Sequence, residues 1–202
     1  MHAEAFLDHT RRKAVWGGRV KVALAVLCAL AVSSCSDTTR TGTASSYLVM
    51  TTLTGGPQND VTVESDVVSD TGSIFTDNGS AGFALQMRDS LTAPTSNNAI
   101  TLTQYRVEYI RSDGHNVQGV DVPFSFTSGV TATISGSEAT TVGFTLVRIQ
   151  AKQEAPLKAL RQGGGANAIS CIARITFYGA DQTGREVTVV GNLDVTFADW
   201  AG

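Results

Sequence analysis

ISCIARITFYGADQTGREVTVVGNLDVTFA, residues 169–198, decides the fold class. Ile169, Cys171, Ala173, Ile175 and Phe177 alternate with Ser170, Ile172, Arg174, Thr176 and Tyr178. After the polar stretch GADQTGRE the alternation resumes at Val187, Val189, Gly191, Leu193, Val195 and Phe197. Successive side chains of a strand point to opposite faces, so a period of two means that one face of each strand is buried. The pair therefore predicts a long antiparallel hairpin.

Outward from this hairpin, strand signals recur at 46–54, 61–69, 81–89, 100–111, 120–127, 130–134 and 142–153, with the hairpin strands themselves at 168–179 and 186–198. Thr and Val are abundant in these runs, and Gly, Asn, Asp and Ser cluster between them. Regular short strands of this kind predict an all-β, antiparallel sandwich or barrel. Tyr105, Val107 and Tyr109 share one parity while Ile100 and Leu102 lie on the other, which predicts a bulge near Thr103 or Gln104. Phe144 and Leu146 hand over to Val147 and Ile149 in the same way. Only 155–161, with Pro156 in a first turn and Gly163 to Gly165 beyond its end, predicts a short helix.

The 202 residues are 42% hydrophobic and 16% charged, with a net charge of −3. That hydrophobic share suffices for one ordinary core, whereas the charged share lies well below the roughly 25% of an average domain. No basic stripe is present, so a nucleic-acid partner is not expected.

The N-terminal part reads differently. Val22 to Val32, VALAVLCALAV, carries no charge and follows Arg11, Arg12, Lys13, Arg19 and Lys21. Its 11 residues are too few to cross a hydrocarbon core, which takes about 20 in a helix. A basic region, a short apolar region and a run of small residues are the parts of a secretory signal peptide. Thr10-Arg11-Arg12 resembles the start of a twin-arginine signal, but Ala14 and Val15 stand where that motif has Phe and Leu.

Val32-Ser33-Ser34-Cys35 resembles the lipobox of bacterial lipoproteins, an aliphatic residue and two small ones before a cysteine. The residues alone also allow ordinary signal-peptidase cleavage, an uncleaved anchor or a chance cysteine. The resemblance implies recognition of Val32, Ser33 and Ser34 by signal peptidase II, cleavage before Cys35 and acylation of Cys35. Membrane lipid would then hold the protein through two or three acyl chains, where one chain is marginal. Ser36 in place of Asp implies, by enterobacterial sorting rules, the outer membrane of the cell envelope. The expected organisation is a signal peptide at 1–34, the lipidated cysteine and a flexible tether at 35–46, and a β domain at 47–202. The mature chain would carry 10 basic and 16 acidic side chains, a net charge of −6. The tether, with no large apolar side chain, would reach about 18 Å for roughly 11 residues.

Residues 173–200, ARITFYGADQTGREVTVVGNLDVTFADW, resemble the last hairpin of bacterial immunoglobulin-like or fibronectin-III-like domains. The expected mature chain as a whole resembles small uncharacterised lipoproteins of Gram-negative bacteria that carry such a domain. The resemblance implies an immunoglobulin-like β-sandwich and an envelope location; the class has no common activity to transfer.

Enzymatic machinery is sparse. After Cys35 the only histidine is His115, in the turn Ser112-Asp113-Gly114-His115-Asn116, so multi-histidine zinc sites are excluded. Cys171 falls on the apolar parity of its strand, where a small thiol behaves as a core hydrophobe, and Cys28 and Cys35 offer it no partner after processing. No nucleophile-elbow, zincin or Walker segment occurs. Gly163-Gly164-Gly165-Ala166-Asn167-Ala168 fits a nucleotide loop in letters, but it leads into a strand where that loop leads into a helix. No catalytic residue and no cofactor are expected.

The remaining candidate is acidic. Asp60, Glu64, Asp66, Asp70 and Asp77 lie among Gly, Asn and Ser, and oxygen ligands on loops are what Ca²⁺ takes. The competing reading is a charged edge that discourages strand pairing. Asp181, Gln182 and Thr183 with Glu186 form a second oxygen-rich group, read as a turn, and Trp200 is expected to plug one end of the sandwich. The expected function is a non-catalytic binding or scaffolding module with an unidentified envelope protein as partner; the alternative is a calcium-dependent or glycan-binding domain at the cell surface.

Overall fold

A computed structural model describes residues 45–162 and 167–200. Among these residues eight strands form two sheets. The strands are β1 (Ser46–Gly55), β2 (Thr62–Asp66), β3 (Asp77–Met87), β4 (Ile100–Ile110), β5 (Phe126–Ile134), β6 (Thr140–Val147), β7 (Ile169–Asp181) and β8 (Glu186–Ala198). One sheet has the order β1-β3-β6 and the other β2-β8-β7-β4-β5. All pairs are antiparallel except β2 with β8, which is parallel and corrects the all-antiparallel expectation.

The hairpin read from residues 169–198 is β7 and β8, paired in unbroken register from Ile169↔Phe197 to Ala180↔Glu186. Cys171, Ala173, Ile175 and Phe177 are buried, as are Leu193, Val195 and Phe197. Asp181 shapes the turn. Its carboxylate accepts from the Thr183 N–H (2.8 Å), the Thr183 hydroxyl (2.6 Å) and the Arg185 N–H (2.9 Å). Gly184 supplies the positive φ of 81° that the tight return needs.

The two sheets face each other across one core, an arrangement compatible with a β-sandwich. Phe83 of β3 meets Phe177 of β7 edge-on at 4.9 Å between ring centroids, and Phe144 of β6 meets the same ring at 5.6 Å. Tyr105 of β4 packs against Phe126, Phe144 and Phe177. Such ring pairs add specific geometry to the area they bury.

Both predicted irregularities are present. Register shifts between Leu102 and Gln104 on either side of β4, so both parity groups of that strand face the core. A second shift lies where Asp77↔Val147 is followed by Asn78↔Thr145, which leaves Leu146 as the extra residue. This bulge explains how Phe144, Leu146 and Val147 are all buried.

Other boundaries differ from expectation. The segment 142–153 is not one strand, because pairing with β3 ends at Val147 and among the described residues no other strand pairs with it there. The chain instead makes a short helix, α1 (Ile149–Gln153), followed by a 3-10 turn over Leu157–Leu160 where the short helix was expected. The strand expected at 120–127 is mostly loop, which runs over 111–125; only Phe126 and Thr127 of it join 130–134 in one strand, β5. β3 starts at Asp77, four residues earlier than its apolar run. Its turn-like residues DNGS are drawn into the sheet because Gly79 lets β3 pass close to Thr54 and Phe144; an added Cβ would lie 2.5 Å from the Phe144 ring.

β1 begins at Ser46, the residue with which the expected tether ends, and the chain is pinned there. The Ser45 carbonyl accepts from the Arg88 N–H (2.9 Å), and its hydroxyl accepts from the Asn98 side-chain amide (2.9 Å). The Ser46 hydroxyl donates to the Asn98 carbonyl (3.3 Å). The expected signal peptide, with Val32, Ser33 and Ser34, and the expected lipidation site Cys35 lie outside the described residues.

Candidate functional site

The five acidic candidates separate into two groups. Asp60 sits in the turn after β1, its carboxylate accepting from the Val61 N–H (2.8 Å) while its backbone pairs with Gly55. With Glu64 it lines a cavity of about 360 Å³ between Gly55 and β2. Asp70 is exposed in the turn 69–73. Asp66 and Asp77, by contrast, converge on a cation of the protein's own. Lys152 of α1, 1% exposed, donates to the Asp66 carbonyl (2.7 Å) and lies 2.9–3.0 Å from both carboxylate oxygens of Asp77. The Ser65 hydroxyl donates to the same carboxylate at 2.5 Å. Among the described residues no three His, Cys, Asp or Glu side chains come together as a metal-binding group.

Lys152 is the residue that sequence reasoning missed. Lysine is rarely fully buried unless paired, and its partner Asp77 is 75 positions away. The available signal was scarcity, since Lys152 and Lys158 are the only lysines after residue 21. Around this pair, Arg161 donates to the Lys152 carbonyl (3.0 Å) and Asp199 accepts from the Gln162 N–H (2.5 Å). Arg148 lies over the Phe126 ring, 4.3 Å from its centroid. Trp200 does not plug this end. Its side chain is 43% exposed, and only its backbone N–H reaches the Asp66 carboxylate (3.3 Å).

The nucleophile and base candidates differ in exposure. His115 is 73% exposed, with Nδ1 3.6 Å from Asp113. The Arg111 guanidinium, with the His115 backbone N–H, holds the Asp113 carboxyl down at about 2. Cys171 is buried, and desolvation pushes its thiol up to about 11. A thiol so raised is mostly protonated at neutral pH and a poor nucleophile.

A further feature is the side of the sandwich between β5 and β6. A groove of about 400 Å³ runs there, lined by Asn78, Gly79, Tyr105, Gly129, Gly143 and Phe144 among others. A Cβ added at Gly129 or Gly143 would meet nothing within 4 Å. Two tyrosines of β4 span the core to reach β6. Tyr109 donates to the Leu146 carbonyl (2.7 Å), and Tyr105 accepts from the Thr145 N–H (2.9 Å). They satisfy backbone groups next to the Leu146 bulge, where the β3 ladder is interrupted. Burial pushes the Tyr109 phenol well above its ordinary range.

Compared with known proteins, the chain matches no family and no curated protein. Among the described residues no helix is long and apolar enough to cross a membrane.

Proposed function

We propose that this protein is a lipid-anchored, extracytoplasmic binding or scaffolding module of the bacterial envelope, without catalytic activity. The observation that carries the reading is the order of parts in the sequence: basic residues, the apolar run Val22 to Val32, and then Val32-Ser33-Ser34-Cys35 ahead of a small-residue stretch. Acylated Cys35 holds the chain to membrane lipid, in the outer membrane, and the β domain is the part presented to partners.

The domain is of immunoglobulin-like type. Support comes from strand order: β1-β3-β6 corresponds to strands A, B and E, and β8-β7-β4-β5 to G, F, C and C′. The first strand continues as β2 beside the last one. In such sandwiches, strand edges and end loops carry recognition on a rigid frame.

The test is Cys35→Ala in cells fed a radiolabelled fatty acid. The wild type takes up label and sediments with membranes, and the variant loses both. Membrane retention of the variant together with an unlabelled wild type would overturn the anchor.

A further inference from the structure

We infer that β5 is a self-pairing edge through which two copies of this chain join antiparallel into one continuous sheet. β5 is the last strand of the five-stranded sheet, and among the described residues only β4 hydrogen-bonds to its backbone. Natural edge strands are protected by charge, proline or brevity. The opposite edge of the same sheet follows that rule, since β2 has five residues and carries Glu64 and Asp66. β5 has none of these three: its nine residues, FTSGVTATI, include no charge and no proline, and its side chains keep alternating through the one irregularity it shows, the register shift against β4 between Gly129 and Ala132.

The occupant is written in the segment itself. A two-fold axis pairs a strand with its own copy running the other way. Centred on Val130, this pairing sets Phe126 against Ile134, Thr127 against Thr133, Ser128 against Ala132, Gly129 against Thr131, and Val130 against itself. Aromatic thus faces β-branched, Thr faces Thr and small faces small, which are favourable cross-strand partners. A Thr pair of this kind already joins β4 and β5, where the Thr101 and Thr133 hydroxyls lie 3.0 Å apart. Parity is also kept. Burial alternates without a break along β5, even residues inward and odd residues outward, and the proposed register sets inward residues opposite inward residues. Self-pairing juxtaposes like with like, so a charged edge would repel its copy and this one does not. The inference stands on β5 alone and is independent of the lipid anchor.

The experiment uses the full chain in detergent, with mass from analytical ultracentrifugation and disulfide trapping under mild oxidant. The expected result is a mass of two chains, lost in Thr131→Lys and restored when Thr131→Lys is mixed with Thr131→Glu. Thr131 is exposed, so circular dichroism of each variant is expected to match the wild type. The mixing step separates lost pairing from lost folding. Val130→Cys is expected to form a cross-linked dimer by itself, measured against the wild type as background. Thr127→Cys and Thr133→Cys are expected to cross-link only when mixed. A single-chain mass for the wild type overturns the proposal and leaves the edge to a strand of another protein. A dimer that survives Thr131→Lys, or that Val130→Cys fails to trap, overturns it in favour of another surface.

Discussion

The two lateral sides of the sheet pair solve the same problem in opposite ways. On one side β1 turns directly into β2, so that the chain itself passes from one sheet to the other. Gly55 lies there against Val63, Leu146 and Leu193, so near that an added Cβ would come within 2.7 Å of Val63. That side ends on the charged edge of β2 and is anchored nearby by the buried Lys152–Asp77 pair. On the other side β5 and β6 leave a groove between uncharged edges, with glycines on both rims and tyrosine hydroxyls bonded to the backbone of β6. The difference teaches that closing a sandwich and presenting one are separate tasks, and that charge protects β2 while β1, β5 and β6 end their sheets without it.

The largest expected effect lies at the anchored side. Lys152→Ala leaves Asp77 without its cation in a mostly buried site, and removing one partner of such a pair costs about 3–5 kcal/mol. Urea unfolding measures it, and replacing both Lys152 and Asp77 by apolar residues of similar volume is expected to recover most of the loss. A negligible loss in Lys152→Ala would erase the contrast between the two sides.

Next come the tyrosines that reach the open side. Tyr109→Phe strands the buried Leu146 carbonyl, at a cost of about 1–3 kcal/mol. Tyr105→Phe is expected to cost clearly less, because the Thr145 N–H borders the groove and water can replace the phenol. Equal losses in paired denaturation curves would mean that the groove is not wet.

A smaller effect belongs to the loop after β4. The Asp113 carboxyl sits at about 2 in the folded protein, against an ordinary 3.8. Its folded value is depressed, so its contribution is complete above the unfolded value and is lost as pH falls from about 4 toward 2. Melting temperatures of the wild type and Asp113→Asn are expected to differ at pH 6 and to converge at pH 2; an offset independent of pH would assign the effect to packing.

The smallest change in stability is expected for Glu64→Ala on exposed β2, within about 0.5 kcal/mol. Its informative readout is association: uncharged edges pair, so light scattering is expected to rise in a variant lacking both Glu64 and the Asp66 carboxylate. No rise would mean that brevity alone protects this edge.

Much of this was legible because it is local. The β7–β8 hairpin follows from a period of two with a Gly-Asp turn, and the β4 bulge from the parity change between Leu102 and Tyr105. The acidic segment shows where local reading stops. Asp66 and Asp77 both reach Lys152, Asp77 through its carboxylate and Asp66 only through its backbone carbonyl, and nothing within 18 residues of Asp60 announces that lysine. The helix α1 was hidden for a related reason: its residues continue the apolar run of β6, and only the end of pairing at Val147 turns the chain.

What the sequence by itself determined is the alternation, the turns and the bulges, because each depends on neighbours a few residues apart. What only the tertiary structure decided is which strands lie at edges, which polar side chains are buried together and which side of the sandwich stays open. Those depend on pairs far apart along the chain, such as Lys152 with Asp77 and Tyr109 with Leu146, and on β5 having a single neighbour. What a residue contributes to a strand depends on whether that strand is an edge or a centre, and only the assembled sheet decides which it is.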